Sequence, residues 1–195
     1  QLLSGEIKGI RIPSEDYRHL RQLVDIRQQY VRASTKTKQR IKALLLFEGI
    51  NVPPEFEGAN WGGQFKLHLR EIALTLKPVP ELKLTALLDE LEHQHERTLW
   101  SCRCIKKFCQ EHESIRKNIE YLRSIPGIGF IVASYVLAQV GDPENLCKLN
   151  ELGSFAGVVP SEYSTGEGVN RGRITHMGDR TLRHLLVEAA WIAIR

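Results

Sequence analysis

Several features that mark special classes of protein are missing from this chain. It has no run of about eighteen apolar residues and no charged-then-apolar leader, so the sequence does not support a membrane or secreted protein. Its four cysteines have neither paired C-x-x-C spacing nor nearby metal-like histidines, and we expect reduced cytosolic thiols. The net charge is only +4, so evidence for nucleic-acid binding has to come from where the charges lie.

Methionine is nearly absent too, since Met177 is the only one. The chain as given therefore contains no initiator methionine. At its C-terminal end, an apolar helical stripe runs up to Arg195 without a capping glycine or asparagine. We therefore expect a piece of a longer protein, cut at both ends. A length of 195 residues suffices for one ordinary core or two small units.

Long helices are predicted over most of the first 122 residues. Ser14, followed by two acids, is a good helix start, and apolar residues recur at helical spacing until Gly49. Asn51–Pro80 is rich in turn residues and contains one short predicted helix near Gln64–Leu76. Glu81–Leu122 lacks glycine and proline and predicts a second long helix. Its imperfect heptad seam would comprise Leu84, Leu88, Leu91, His95, Thr98, Cys102, Ile105 and Cys109.

The first long helix carries a local excess of positive charge. Between Arg11 and Lys42 there are nine Lys or Arg and only three acids. This pattern fits either a solvated helix face or a face that contacts phosphates, with Arg32, Lys36 and Arg40 as candidate contacts. The second long helix has eight acids and seven bases, a balance that suits protein–protein pairing. The two helices could pack on each other or on a second subunit.

A glycine turn separates the second long helix from the next one. Leu122–Gly129 reads LRSIPGIG, which is the pattern of a helix-hairpin-helix. Pro126 ends the first helix, and Gly127 and Gly129 permit a tight turn. Free N–H groups at the start of the following helix could then bind a DNA phosphate without reading the base sequence. The alternative is an ordinary interhelical turn.

A serine-containing loop follows an apolar run that ends at Pro160. Ser161–Gly168 reads SEYSTGEG. A serine hydroxyl attacks a phosphodiester only where it is exposed and surrounded by positive donors. Arginine guanidinium groups grip phosphate oxygens, and four candidates follow the loop: Arg171, Arg173, Arg180 and Arg183. His176 fits either a general acid or base or a surface residue. Composition alone favours a simple turn over a catalytic loop.

These motifs together resemble a known family. The order I-P-G-I-G, A-G-V-V-P-S-E-Y-S-T-G and R-G-R-I-T-x-x-G-D-R-x-L-R is similar to the C-terminal domain of the DEDD transposases of bacterial insertion sequences, of the IS-one-ten and IS-eleven-eleven types. Their recombinases use an element-encoded bridge RNA. The resemblance implies a nucleophilic serine, matched here by Ser164. Some relatives have their serine directly before the glycine, where this chain has Thr165, so both residues are candidates, and Ser161 is a weaker one.

The resemblance also implies a partner domain that this chain lacks. That domain has a RuvC-like fold whose four carboxylates bind Mg²⁺, so we expect no cofactor for this fragment and no activity of the fragment alone. Residues 1–122 would form the basic helix, connector and coiled-coil region, and residues 123–195 a truncated C-terminal transposase domain with the helix-hairpin-helix.

The sequence therefore predicts a mainly α part of a transposase that binds DNA and exchanges strands through a serine. The expected partners are DNA, a structured guide RNA and further copies of the chain, with no membrane. The expected location is the bacterial cytoplasm, at the nucleoid. The alternative function is a non-catalytic DNA- or RNA-binding and dimerisation module, in which Ser164 is only a loop residue.

Overall fold

Helices dominate the chain. The computed structural model describes residues 12–54, 61–143, 149–165, 168–175 and 177–195. Within them lie seven helices and one antiparallel pair of strands: α1 Glu15–Phe47, α2 Gly63–Thr75, α3 Pro78–Glu111, α4 Glu113–Arg123, α5 Phe130–Val140, α6 Leu149–Ala156, β1 Pro160–Glu162, β2 Arg171–Ile174 and α7 Arg180–Ile194. The prediction of a mainly α chain is confirmed. Over the described ranges, no helix combines the length and apolar character that crossing a membrane requires.

The described residues group into two compact units. We call residues 25–103 the connector unit, and residues 12–24 together with 104–195 the C-terminal unit. Both α1 and α3 contribute residues to each unit, because the chain enters and leaves the connector unit within these helices. The division into domains that the sequence predicted at residue 122 stays a prediction.

The core of the C-terminal unit gathers one face from each of its main helices. The buried members are Tyr17, Leu20, Val24, Ile105, Cys109, Ile115, Ile119, Ala133, Tyr135, Val136, Leu137, Ala138, Ala156 and Leu182. Helix α5 is the most apolar element and lies inside this core. Arg21 of α1 donates from Nε to the Ala138 carbonyl at 2.9 Å and from Nη2 to the Gln139 carbonyl at 2.8 Å. It thereby satisfies carbonyls that the helix end leaves open.

The prediction of one uninterrupted helix over Glu81–Leu122 is wrong, because the helix breaks at His112. Its backbone is extended there, with φ −115° and ψ 100°, and it separates α3 from α4. The His112 ring stacks on Phe108 with centroids 4.1 Å apart, and its Nδ1 lies 2.8 Å from the Phe108 carbonyl oxygen. After the break, Ile115 and Ile119 are buried in the core. The helix therefore breaks within a segment that contains no glycine or proline.

The connector unit has an apolar half and a polar half. Its apolar core comes from α1, α2 and α3: Ile41, Leu44, Leu45, Phe65, Leu69, Ala73, Leu84, Leu87, Leu88 and Leu91. Further along, polar bonds join α1 to α3. Thr37 donates to Glu90 Oε1 at 3.1 Å and accepts from Gln94 Nε2 at 3.0 Å, and Arg97 Nε donates to the Tyr30 hydroxyl at 3.2 Å. Tyr30 bonds to Arg97 and the later residue Thr37 bonds to the earlier residue Gln94, so α1 and α3 run antiparallel.

The middle of the predicted seam on α3 is shifted by one residue. His95 is exposed, whereas Gln94 and Ser101 are buried. Cys102 is half-exposed and accepts a hydrogen bond from Arg27 Nε at 3.2 Å. Cys109 is buried, as the seam predicted, and burial raises the pKa of its thiol to about 11. The Cys109 thiol is therefore neutral at physiological pH and behaves as a core residue.

Candidate active site and nucleic-acid interface

The described residues of the predicted serine loop, 161–165 and 168, belong to a β-hairpin. Strands β1 and β2 pair antiparallel, with Glu162 opposite Arg171. The pairing continues beyond the strands, since the Tyr163 N–H donates to the Asn170 carbonyl at 2.9 Å. Main-chain bonds therefore hold a segment that composition alone would leave as an irregular loop.

Ser164 lies near the tip of this hairpin with its side chain exposed. Its Oγ–H donates to Glu162 Oε1 at 2.8 Å, and its Oγ accepts from the Asn170 N–H at 3.2 Å. Thr165 is exposed as well, but its hydroxyl has no hydrogen-bond partner among the residues that the structure describes. The two candidate nucleophiles therefore have different surroundings, and only Ser164 is bonded to a carboxylate.

Ser161, the weaker candidate, serves the pairing of the strands. Its Oγ donates to the Arg173 carbonyl at 3.1 Å. A side chain at Gly172 would collide with this Oγ, so Ser161 is packed closely against β2. These contacts give the Ser161 hydroxyl a structural role.

The four candidate arginines differ in how much of their charge is available. Arg171 and Arg173 are exposed on β2, and Arg180 is exposed at the first position of α7. Arg183 is half-buried and donates from Nη1 to the Ala156 carbonyl at 2.9 Å. Arg183 therefore links α7 to the end of α6, while the other three present cations to solvent. His176 lies outside the described residues.

The G-D-R motif before α7 also has a structural explanation. The Asp179 carboxylate accepts from the Leu182 N–H at 2.6 Å and caps α7. A side chain at Gly178 would collide with the backbone nitrogen of Gly157, so the two backbones meet only because neither residue has a Cβ. These residues fix the start of α7 and with it the position of Arg180.

The two turn glycines between α4 and α5 have different environments. Gly127 has a φ of +84°, and a Cβ there would collide with the carbonyl oxygen of Ala189 in α7. Gly129 precedes α5 with extended backbone angles, and no atom lies within 4 Å of the place its Cβ would occupy. Gly127 is thus packed inside the unit, whereas Gly129 faces open space.

The candidate basic contacts on α1 belong to the connector unit. Arg32 and Lys36 are exposed, and Arg40 Nη1 lies 3.8 Å from Glu90 Oε2. Nearby, burial and the Lys66 ammonium lower the pKa of Lys38. These residues do not share a unit with the serine hairpin.

Sequence reasoning missed Glu162 and Asn170 as partners of Ser164. Glu162 had a usable signal, because residues two apart in an extended segment lie on the same side. Asn170 had none, since its contact uses a backbone N–H across the hairpin. Among the described residues, no group of three or more His, Cys, Asp or Glu is placed to hold a metal ion.

Comparison with known proteins agrees with these motifs. Residues 119–195 match the family model described as transposase IS116/IS110/IS902 family. The chain is 33% identical over 187 residues to the transposase for insertion sequence element IS1328 of Yersinia enterocolitica. This match covers 91% of this chain and 50% of that protein. The chain is 27% identical over 193 residues to the transposase for insertion sequence element IS1111A of Coxiella burnetii, with coverage of 97% and 50%. The chain spans about half the length of these curated relatives.

Proposed function

We propose that the chain, whose residues 119–195 match the transposase IS116/IS110/IS902 family model, is the linker and C-terminal part of an insertion-sequence transposase. Ser164 is its nucleophile towards a DNA phosphodiester. The observation that carries this assignment is the exposed Ser164 hydroxyl, hydrogen-bonded on both sides and adjoined by a strand with two exposed arginines. Both relatives named above are transposases of insertion sequences, which supports DNA as the substrate.

The proposed chemistry consists of two transesterifications. Ser164 Oγ attacks the phosphorus, an Oγ–P bond forms, and the bond from phosphorus to a deoxyribose oxygen breaks. The leaving strand takes a proton and keeps a free hydroxyl. The hydroxyl of another strand then attacks the phosphoserine and releases Ser164. The phosphodiester energy is conserved in the intermediate, so rejoining needs no nucleotide cofactor.

Arginines near the hairpin supply the positive charge that this reaction needs. Negative charge builds on the phosphate oxygens as the Oγ–P bond forms, and guanidinium donors stabilise it. Arg171 and Arg173 lie on β2, the strand that pairs with β1 beyond the Ser164 loop, while Arg180 lies at the start of α7. We assign the first two to the reacting phosphate and Arg180 to the flanking backbone. Arg183 keeps its structural bond to Ala156.

The turn between α4 and α5 is proposed as a helix-hairpin-helix that holds the DNA backbone. Gly129 supports this role, because the space beside it is open and no side chain caps the start of α5. The N–H groups of the first helical turn can then donate to a phosphate oxygen. Such a contact positions the duplex without reading its sequence.

The remaining parts of the enzyme are assigned outside this chain. The carboxylates of the proposed RuvC-like domain would bind the catalytic Mg²⁺, while the residues of this chain serve the reacting phosphate and the DNA backbone. A structured guide RNA supplies target recognition, and the antiparallel α1–α3 pair is a candidate surface for further copies of the protein.

The basic helix gives a prediction about salt. Replacing Arg32, Lys36 and Arg40 together with glutamate should flatten the salt dependence of DNA binding, by roughly one unit of log–log slope for each lost phosphate contact. Binding isotherms at several salt concentrations measure this slope. Lys106→Glu is the matched control, since it reverses an exposed charge in the other unit and should leave the slope unchanged. An unaltered slope in the triple variant would mean that this face of α1 is solvated and does not contact phosphates.

A covalent intermediate tests the proposed nucleophile directly. The complete transposase, with guide RNA and Mg²⁺, is incubated with an element end nicked next to the cleavage site, so that the cut strand diffuses away before rejoining. We expect a denaturant-resistant protein–DNA adduct, and mass spectrometry of its peptides should place the phosphate on Ser164. An adduct on Thr165 or Ser161 would reassign the nucleophile. Absence of any adduct, with DNA binding intact, would support the non-catalytic binding module.

A further inference from the structure

Among the residues that the structure describes, the hydrogen bonds of Ser164 leave one position on its oxygen open. A serine hydroxyl has one donor proton and two lone pairs. The proton points to Glu162 Oε1 at 2.8 Å, and one lone pair accepts from the Asn170 N–H at 3.2 Å. The second lone pair remains for an incoming electrophile. This is the arrangement that a nucleophilic hydroxyl needs, with the proton directed to an acceptor and a lone pair available for attack.

The hairpin holds Glu162 in place for this contact. Glu162 is the last residue of β1 and lies opposite Arg171, just after a β-bulge or similar irregularity that shifts the register between Pro160 and Glu162. The Ser161 hydroxyl bond to Arg173 fixes the preceding residue to β2, and the Tyr163 bond to Asn170 fixes the following one. Glu162 is therefore bounded on both sides by residues tied to the opposite strand. Its carboxylate reaches Ser164 from an ordered backbone.

We propose that Glu162 is a catalytic residue, the general base that takes the Ser164 proton when the hydroxyl attacks the phosphodiester. This proposal rests on the proposed function of Ser164. As the Oγ–P bond forms, the Oγ proton moves to Glu162 Oε1, the bond to the leaving deoxyribose oxygen breaks, and that oxygen takes a proton from water. In the second step the attacking hydroxyl gives its proton to water and the carboxylic acid returns its proton to Oγ as phosphoserine is cleaved, so the residue ends in its starting state.

The Asn170 N–H complements this transfer. A backbone donor cannot take the serine proton, but it stabilises the negative charge that grows on Oγ as the proton leaves. Glu162 and Asn170 thus act on opposite sides of the same atom. The alternative is that Glu162 only orients the hydroxyl by accepting its hydrogen bond, in which case any acceptor of similar shape would serve.

Two substitutions separate these roles. Glu162→Gln keeps an acceptor oxygen of the same shape but has lost the basic carboxylate, whereas Glu162→Ala removes both. For a general base, E162Q should slow adduct formation by roughly 10²- to 10⁴-fold, and E162A should be similarly slow. For an orienting residue, E162Q should keep nearly the full rate and only E162A should lose it. Glu188→Gln, an exposed α7 residue paired with His184, is the matched control.

The measurement is the single-turnover rate of adduct formation by the complete transposase on the nicked substrate, together with DNA affinity and the pH dependence of the rate. We expect unchanged affinity for E162Q and a residual rate that keeps rising with pH, because hydroxide replaces the lost base. A rate within threefold of wild type in E162Q would overturn the proposal. Ser164→Ala runs in parallel: an adduct in that variant would overturn the nucleophile itself, whereas its absence beside a fully active E162Q would overturn only the base.

Discussion

Replacing Ser164 with alanine in the complete transposase is expected to reduce strand exchange by roughly 10⁴-fold or more, because the variant has lost the hydroxyl that we propose forms the covalent link. DNA affinity should change by less than about twofold, since one exposed hydroxyl adds little to binding that is dominated by phosphate contacts. Strand exchange is measured with labelled element ends, and affinity by titration under the same salt. Loss of strand exchange with DNA affinity retained identifies a chemical role for Ser164.

Two neighbouring hydroxyls provide controls for this result. Ser161→Ala removes the bond to the Arg173 carbonyl and should leave exchange within a few-fold of wild type. Thr165→Val removes the second candidate nucleophile while keeping a β-branched side chain of similar size. If Thr165→Val abolishes exchange and Ser164→Ala does not, the nucleophile is Thr165. If Ser164→Ala, Thr165→Val and Ser161→Ala all exchange strands normally, the hairpin is not catalytic and the chain is a binding module.

The helices that the sequence predicted well are those with strong local signals. Ser14 and two acids mark the start of α1, and Gly49 has a φ of +69° just beyond its end at Phe47. The apolar spacing along α1 matches residues that are buried in the two cores. Such signals lie within one turn or one face, so they can be read without knowing the fold.

Features set by distant contacts were not predictable from sequence. The break at His112 contains no proline or glycine, and the helix after it buries Ile115 and Ile119 in the core. The shift of the α3 seam from His95 to Gln94 depends on Thr37, 57 residues away, which accepts the Gln94 amide. A period of three or four residues permits either choice, and the partner helix decides between them.

The candidate site shows the same division. Residue types and their order were enough to nominate Ser164 and the arginines as candidates, but not to distinguish their surroundings. Arg180 and Arg183 are equivalent by spacing, yet only Arg183 bonds to Ala156, because the end of α6 packs beside α7. The link from Ser164 to Glu162 required knowing that the loop is a hairpin. Contacts across the strands and between the helices gave the surroundings of Ser164 and Arg183, which composition left open.

The two glycines of the turn between α4 and α5 lead to the second large prediction. Gly127→Ala should destabilise the chain by about 3 kcal/mol, since strain from a positive φ adds to crowding in a packed region. The added Cβ would meet the Ala189 carbonyl oxygen, and neither backbone can turn aside as a flexible side chain would. Denaturant unfolding of the 195-residue chain measures the free energy of unfolding.

Gly129→Ala is the matched control, and it separates folding from DNA contact. Its φ of −82° suits alanine and the space beside it is open, so its stability should stay within about 0.5 kcal/mol of wild type. If α5 binds a phosphate through its first N–H groups, a methyl group at Gly129 should still hinder the approach of the DNA backbone and weaken binding. The turn motif predicts one role for both glycines, whereas the packing of α7 on Gly127 separates them into two. Equal loss of stability in both variants would contradict that packing, and unchanged DNA affinity in Gly129→Ala would remove this turn from the proposed DNA interface.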